Sequence, residues 1–427
     1  MDFLLQPMPV QPWELDPDSS IYMDYFRYRV KVVLPYFEIF PSMADEIICR
    51  ASYDRGLQHT VLSVSHLVAD ARLHRSLVPA FQHQTHALSL LQKALSTTDI
   101  TEALTISVAM LAWLNMTRSN RPALNQHLTG LSLVFQELFN RNQPLSPLLK
   151  QVWRFSLRLD LLATVLFFPR VPVFQPVEAD EDRLNRDWVR ASTSADLTEW
   201  TLASFALDNL MHRASHVAME VYELRKQATP GQDYSSQIQE WVQPLLEEHS
   251  AWLLRPVIQE AEMRERQINA VKLEDGSQQS PGFLNYPQLR IHDKFYVNMM
   301  NNWRAVYIFI DLIVHPQIGP LDGVYSKRFK LAVDICQAHA SLGMDDSFPL
   351  GKVVSVFFAG VAFGGTRLNP DHVRWLDDTM IVVVLSYLPL NRDAAVFATS
   401  LPRDLTIRLN FEMFGSVRGI IGRLWRS

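Results

Sequence analysis

Apolar residues recur along most of the chain at spacings of three and four, the period of a helix with one buried face. In "LTISVAMLAWL" the set Leu104, Val108, Leu111 and Ala112 keeps that spacing, and Ile106, Met110 and Trp113 widen the stripe. The spacing therefore predicts a helix buried on most sides over 104–116. Before it, "TTDITEAL" offers Asp99 or Thr98 as N-cap, with Glu102 placed to complete a capping box from Asp99. The same rhythm runs through Leu128, Leu131, Val134, Phe135 and Leu138 in 125–141, and through 148–168 up to Pro169. A long helix over 200–227 is ended by Pro230-Gly231. The segment 233–273 carries Pro244 and Pro256, which should start, kink or break it, and 294–315 reads as a further buried helix. No stretch alternates apolar and polar residues for long enough to predict a sheet. The expected class is all-α, a multi-helix bundle or helix-pair array with long connecting loops.

Three segments read as connections. Residues 1–20 are Pro-rich and polar, an extended N-terminal segment. Residues 171–199 are rich in charge and end in a Ser/Thr cluster, and residues 272–290 combine Gly, Pro and Ser as a mobile loop would. Residues 21–427 are then expected to form one helical domain. Composition agrees with a packed body: 427 residues, 48% hydrophobic and 20% charged. A prior of roughly 150 residues per domain would give two or three units, and one extended helical body is also compatible with this length. The net charge of −5 and pI of about 6.2 give no clustered basic surface for nucleic acid. Only Cys49 and Cys336 occur, which fits a reducing compartment and excludes both a disulfide scaffold and a thiolate zinc module. The first twenty residues lack the basic and apolar regions of a signal peptide. The most apolar runs, 104–116, 353–365 and 380–390, fall short of the ~18–20 residues a membrane span needs. These readings predict a soluble intracellular protein.

Chemistry is sparse. In "HQTHAL" the pair His83 and His86 lies about 60° apart around a helix. A zinc site needs three or four ligands, and His-Glu-x-x-His is absent, so the pair reads as an exposed or half-buried helix start after Pro79 rather than a metal site. Asp208, His212, His216 and Glu220 recur every four residues and could bind a metal or relay a proton. The neighbouring stripe of Leu207, Leu210, Met211, Ala214, Val217, Val221 and Leu224 would face the core, making the polar row the solvated face of an amphipathic helix. Arg158 and Asp160 interrupt an apolar helix, where charges are normally paired. Gly360, Gly364 and Gly365 do not form a phosphate loop, since no Gly-Lys-Ser/Thr follows, and no nucleophile elbow occurs. No metal and no cofactor are expected.

The order of the helices is more informative than any one of them. "YMDYFRYRVKVVLPYFEIFPS" (22–42), "HTVLSVSHLVAD" (59–70) with its Ser-x-x-His-Leu core, "HQTHALSLLQKAL" (83–95), "NQHLTGLSLVF" (125–135), "RFSLRLDLLATVLF" (154–167) and "FPLGKVVSVFFAGVAFGGTRL" (348–368) follow one another in a familiar series. The series resembles the fungal-specific transcription factor domain, the helical regulatory half of zinc-cluster transcription factors, over roughly residues 15 to 400. Leu131 stands where that family usually has Ala. The resemblance implies an all-α regulator of metabolic genes, including secondary-metabolite genes, that acts through partners in the transcription machinery or through a small apolar ligand. The six-cysteine module that reads DNA in the family has no counterpart here, because two distant cysteines cannot hold two zinc ions. Direct DNA binding by that route is not expected, and work through partners, a fragment of a longer chain, or a relative put to another use all fit.

Two uses of this scaffold are separable. A regulator would act in the nucleus. A small-molecule binder, or a cofactor-independent isomerase or cyclase, would work in the cytoplasm and needs little beyond positioning and one acid or base. The candidates for that group are His66, His127, Arg158 and Asp160, all in helices with large apolar faces. A third use, a structural interaction protein that dimerises through a helical face, leaves the oligomeric state open.

Overall fold

A computed structural model of the chain describes residues 17–30, 42–73, 75–96, 100–117, 120–140, 145–166, 170–174, 195–227, 233–274, 294–315 and 327–342. Among the described residues there are twelve α-helices and no strand, so the fold is all-α. The chain divides into two compact units; the first holds the described residues up to Asp160 and the second those from Leu161 onward.

The first unit contains α1 (Pro17–Tyr28), α2 (Ser42–Ala51), α3 (Arg55–Arg72), α4 (Val78–Leu95), α5 (Glu102–Thr117) and α6 (Arg121–Asn140). The boundary between units falls inside α7 (Pro147–Leu166). Every residue from Leu104 to Met116 in α5 is buried, as its all-round apolar sequence predicts. The start of α5 differs from the expected capping box. Thr101 is the cap, its hydroxyl accepting the Leu104 amide at 3.1 Å, and Glu102, now at the first helical position, accepts from Arg50 Nε at 2.6 Å instead. Thr98 and Asp99 lie outside the described residues.

Helix α3 packs against α1, α2, α4 and α5, which explains its small buried residues. Thr60 and Ser65 return their hydroxyls to their own helix, at Gly56 O and Val61 O, while Ser63 donates across to Ala80 O of α4 at 2.8 Å. At the other end, a Cβ on Gly56 would sit 3.7 Å from Leu90 and 3.9 Å from Leu91. The start of α3 therefore lies beside the end of α4, and the two run antiparallel. The short link between them requires that arrangement.

The second unit contains α8 (Ala195–Gln227), α9 (Ser235–Trp252), α10 (Pro256–Glu274), α11 (Lys294–Val314) and α12 (Lys327–Leu342). The two prolines of the 233–273 segment act differently. Pro256 opens α10, where its missing amide is harmless, whereas Pro244 lies within α9. Helix α11 packs against the other four, burying Val306, Phe309, Ile310 and Ile313. Long polar side chains tie this core to backbone. Trp252 Nε1 donates to Ala203 O at 2.9 Å, and Arg225 donates to Ile313 O at 2.7 Å, serving a carbonyl that the end of α11 leaves unpaired. Arg328 of α12 donates to the carboxylate of Asp311 and to His315 O.

Candidate functional site in the seam between α3 and α4

Position in the helix decides what α3 offers to its neighbours. His59 and His66 are two turns apart and Asp70 is one turn further, so the three share a face. The antiparallel register sets His83 and His86 of α4 against that face, and α1 brings Tyr22 to its far end. Four imidazoles, one phenol and one carboxylate thus form a continuous array along the seam.

At one end lies Asp70, whose side chain is 3% exposed. Its two oxygens have different donors: Tyr22 OH gives a hydrogen bond to Oδ1 at 2.9 Å, and His66 Nδ1 faces Oδ2 at 2.9 Å. A buried carboxylate loses hydration, and two donors replace it. Burial, followed by the Asp70 carboxylate, pushes the Tyr22 hydroxyl above its ordinary pKa, while Arg75 works in the opposite direction. The Tyr22 ring stacks on His66 with centroids 3.5 Å apart. The Asp70 contact at Nδ1 fixes the orientation of the His66 ring.

The array continues through His83, stacked 5.4 Å from His66, to His59. The Nδ1 atoms of His59 and His83 face each other at 2.9 Å, so one donates and the other accepts. His86 lies over His59 with centroids 5.2 Å apart. Burial, then the charges of His86 and Arg55, lower the pKa of His59. Among the described residues no group of three or more His, Cys, Asp or Glu side chains is placed to hold a metal ion.

Of the four residues singled out in the sequence, His66 joins this array. His127 is half-buried on α6 and its pKa is lowered by burial. Arg158 and Asp160 are both buried on α7, and neither lacks a partner. The polar row on α8 departs from the expected solvated face. His212 is 4% exposed, burial drives the Asp208 carboxyl well above its ordinary pKa, and His216 points Nε2 at Phe174 O, 3.4 Å away. Only Glu220 is exposed. The reason is that α8 packs against both α9 and α11, so its buried arc is wider than that of a surface helix. The glycines at 360, 364 and 365, and the late apolar helix of the family series, lie outside the described residues.

Sequence reasoning passed over Tyr22, His59, Asp70 and His249. The seven-residue step from His59 to His66 and the four-residue step to Asp70 were readable signals. So was the stripe Ile238, Val242, Leu245, His249, Trp252, in which a histidine occupies a core position. No family model, curated protein or solved structure matches this chain. No helix among the described residues is long and apolar enough to cross a membrane.

Proposed function

We propose that this chain is the helical regulatory body of a transcription regulator, resembling the fungal-specific transcription factor domain and controlling metabolic genes through partner proteins or a bound small ligand. What supports the reading is the ordered series of motifs. "HTVLSVSHLVAD" lies in α3, "HQTHALSLLQKAL" in its antiparallel neighbour α4, and "NQHLTGLSLVF" in α6, so three of the six segments that carry the resemblance are helices of the first unit. The domain would regulate without reading bases itself and would act in the nucleus. Deleting the gene and profiling transcripts under conditions of expression tests it. A defined set of metabolic transcripts should change, and an unaltered profile would overturn the reading.

The Tyr22–Asp70–His66 contacts favour a second reading, a cofactor-independent isomerase or cyclase on the same scaffold. Asp70 orients His66, and His66 Nε2 would take a proton from a bound substrate and return it elsewhere. Such an enzyme would turn over a biosynthetic intermediate as purified protein, with Asp70→Asn losing most of the rate. No turnover by the unaltered protein across the candidate intermediates would reject this reading.

A further inference from the structure

The seam between α3 and α4 has a property that neither functional reading requires. The facing Nδ1 atoms of His59 and His83, 2.9 Å apart, accommodate one proton between them. With one ring donating and one accepting, the pair fits whether it is neutral or carries a single positive charge. When both rings are imidazolium, two N–H groups point at each other and the contact cannot persist. We propose that this pair is a proton-operated catch, holding α3 to α4 while one proton lies between the facing nitrogens and releasing that part of the seam when a second arrives.

Around His59, the described residues favour release rather than accommodation. On α3 itself Arg55 repels a charged His59, and so does His86 from α4. Asp70 is engaged by Tyr22 of α1 and by His66, and Asp54 accepts the Leu57 amide at 2.8 Å. Arg75, in the link to α4, acts on Tyr22. From α2 and α5, Glu46, Arg50 and Glu102 pair with one another, at 3.9 Å and 2.6 Å. Each of these carboxylates thus has donors of its own other than the second imidazolium. Beyond the histidines, the seam is held by Ser63 on Ala80 O and by the close approach at Gly56, so release is local rather than a collapse of the unit. The α4 surface that this first unit offers to a partner then depends on pH in the range where imidazoles titrate.

The test uses the full chain. Imidazole NMR between about pH 8 and about pH 5 should resolve His59 and His83 as a coupled pair titrating in two separated steps. Over the same range, hydrogen exchange of the α3 and α4 amides, corrected for intrinsic exchange, should rise by about tenfold or more, the equivalent of one pKa unit. His83→Gln keeps a neutral hydrogen-bonding partner for His59, and should abolish most of that rise, while His127→Gln leaves it intact. Independent titration of both rings in one step, or α3 and α4 exchange that ignores acidification, overturns the proposal. Should His83→Gln fail to fold, the titration of the unaltered chain decides alone.

Discussion

Each unit places histidine in a helix–helix seam, and the two seams use it in opposite ways. In the first, His59 and His83 meet ring to ring, half-buried, each supplying the other's hydrogen bond. In the second, His249 is 1% exposed, stacks on Trp303 with centroids 4.4 Å apart, and aims Nε2 at the Trp303 carbonyl, 2.9 Å away. Trp303 Nε1 returns a bond to the His249 carbonyl at 2.9 Å. A backbone carbonyl can only accept, so it fixes His249 as the donor and no proton transfer can reverse the contact. A second imidazole can do either, so the first seam has an alternative state. The partner, more than the histidine, determines whether a buried ring is a strut or a switch.

The strut can be broken outright. Trp303→Ala removes the stacked ring, opens a cavity among α8, α9 and α11, and leaves the His249 carbonyl without that donor. The expected loss is about 3–5 kcal/mol, read as faster hydrogen exchange across the second unit with the first unit's amides unaffected. A loss under about 1 kcal/mol would mean that the pair is peripheral to that core.

Acid should undo the same strut more gently. Burial is the chief cause that lowers the His249 pKa from 6.5 to about 4, the Lys327 charge adding to it and the Trp303 bond opposing it. The unfolded chain therefore binds this proton before the folded one does. Its contribution is complete above about pH 6.5 and is lost as pH falls toward 4, on the order of 3 kcal/mol in total. Denaturant unfolding of the second unit followed from about pH 7 to about pH 4 should show that slope, and His249→Gln should flatten it. The two seams thus respond to acid differently: the second by a graded loss of stability, the first by local opening.

How much of this could be read from sequence depends on where each partner lies. Helix α5 was legible because its apolar residues surround the axis, and burial follows without any knowledge of neighbours. Pro244 and Pro256 carry the same covalent signal, yet only Pro256 opens a helix while Pro244 lies within α9. The row on α8 is largely buried because a solvated face requires one packing surface, and α8 has two. The partner of His59 is 24 residues away on another helix, and no periodicity within α3 signals a ring brought up by α4. His83 and His86 by themselves are a pair lacking a third group. The third group is His59, and it supplies a proton partner instead of completing a metal site. Single-helix patterns thus give faces, and only the register between helices gives pairs.

Asp70→Asn sharpens the comparison from the far end of the array. The carboxylate accepts from both Tyr22 and His66, whereas an amide oxygen and an amide nitrogen can serve one donor and must turn an N–H toward the other. The expected cost is about 1–3 kcal/mol, measured on the first unit by denaturant unfolding. Imidazole NMR should also show His66 freed from its fixed tautomer. An unchanged tautomer would mean that His66 is oriented by its stack on Tyr22 rather than by Asp70.

The smallest effect tests the backbone that presents these seams. Gly130 lies inside α6, and a Cβ built on it meets nothing within 4 Å. Leu131 follows it and is fully buried. A glycine kept for close packing should have a neighbour at its Cβ, as Gly56 does with Asp54 Oδ1 at 3.2 Å. Gly130→Ala should therefore stabilise the first unit by about 0.5–1 kcal/mol through helix propensity alone. Gly56→Ala has less room, since its Cβ would press on the carboxylate that caps the Leu57 amide at the start of α3. A destabilised Gly130→Ala would mean that helix propensity does not decide this position.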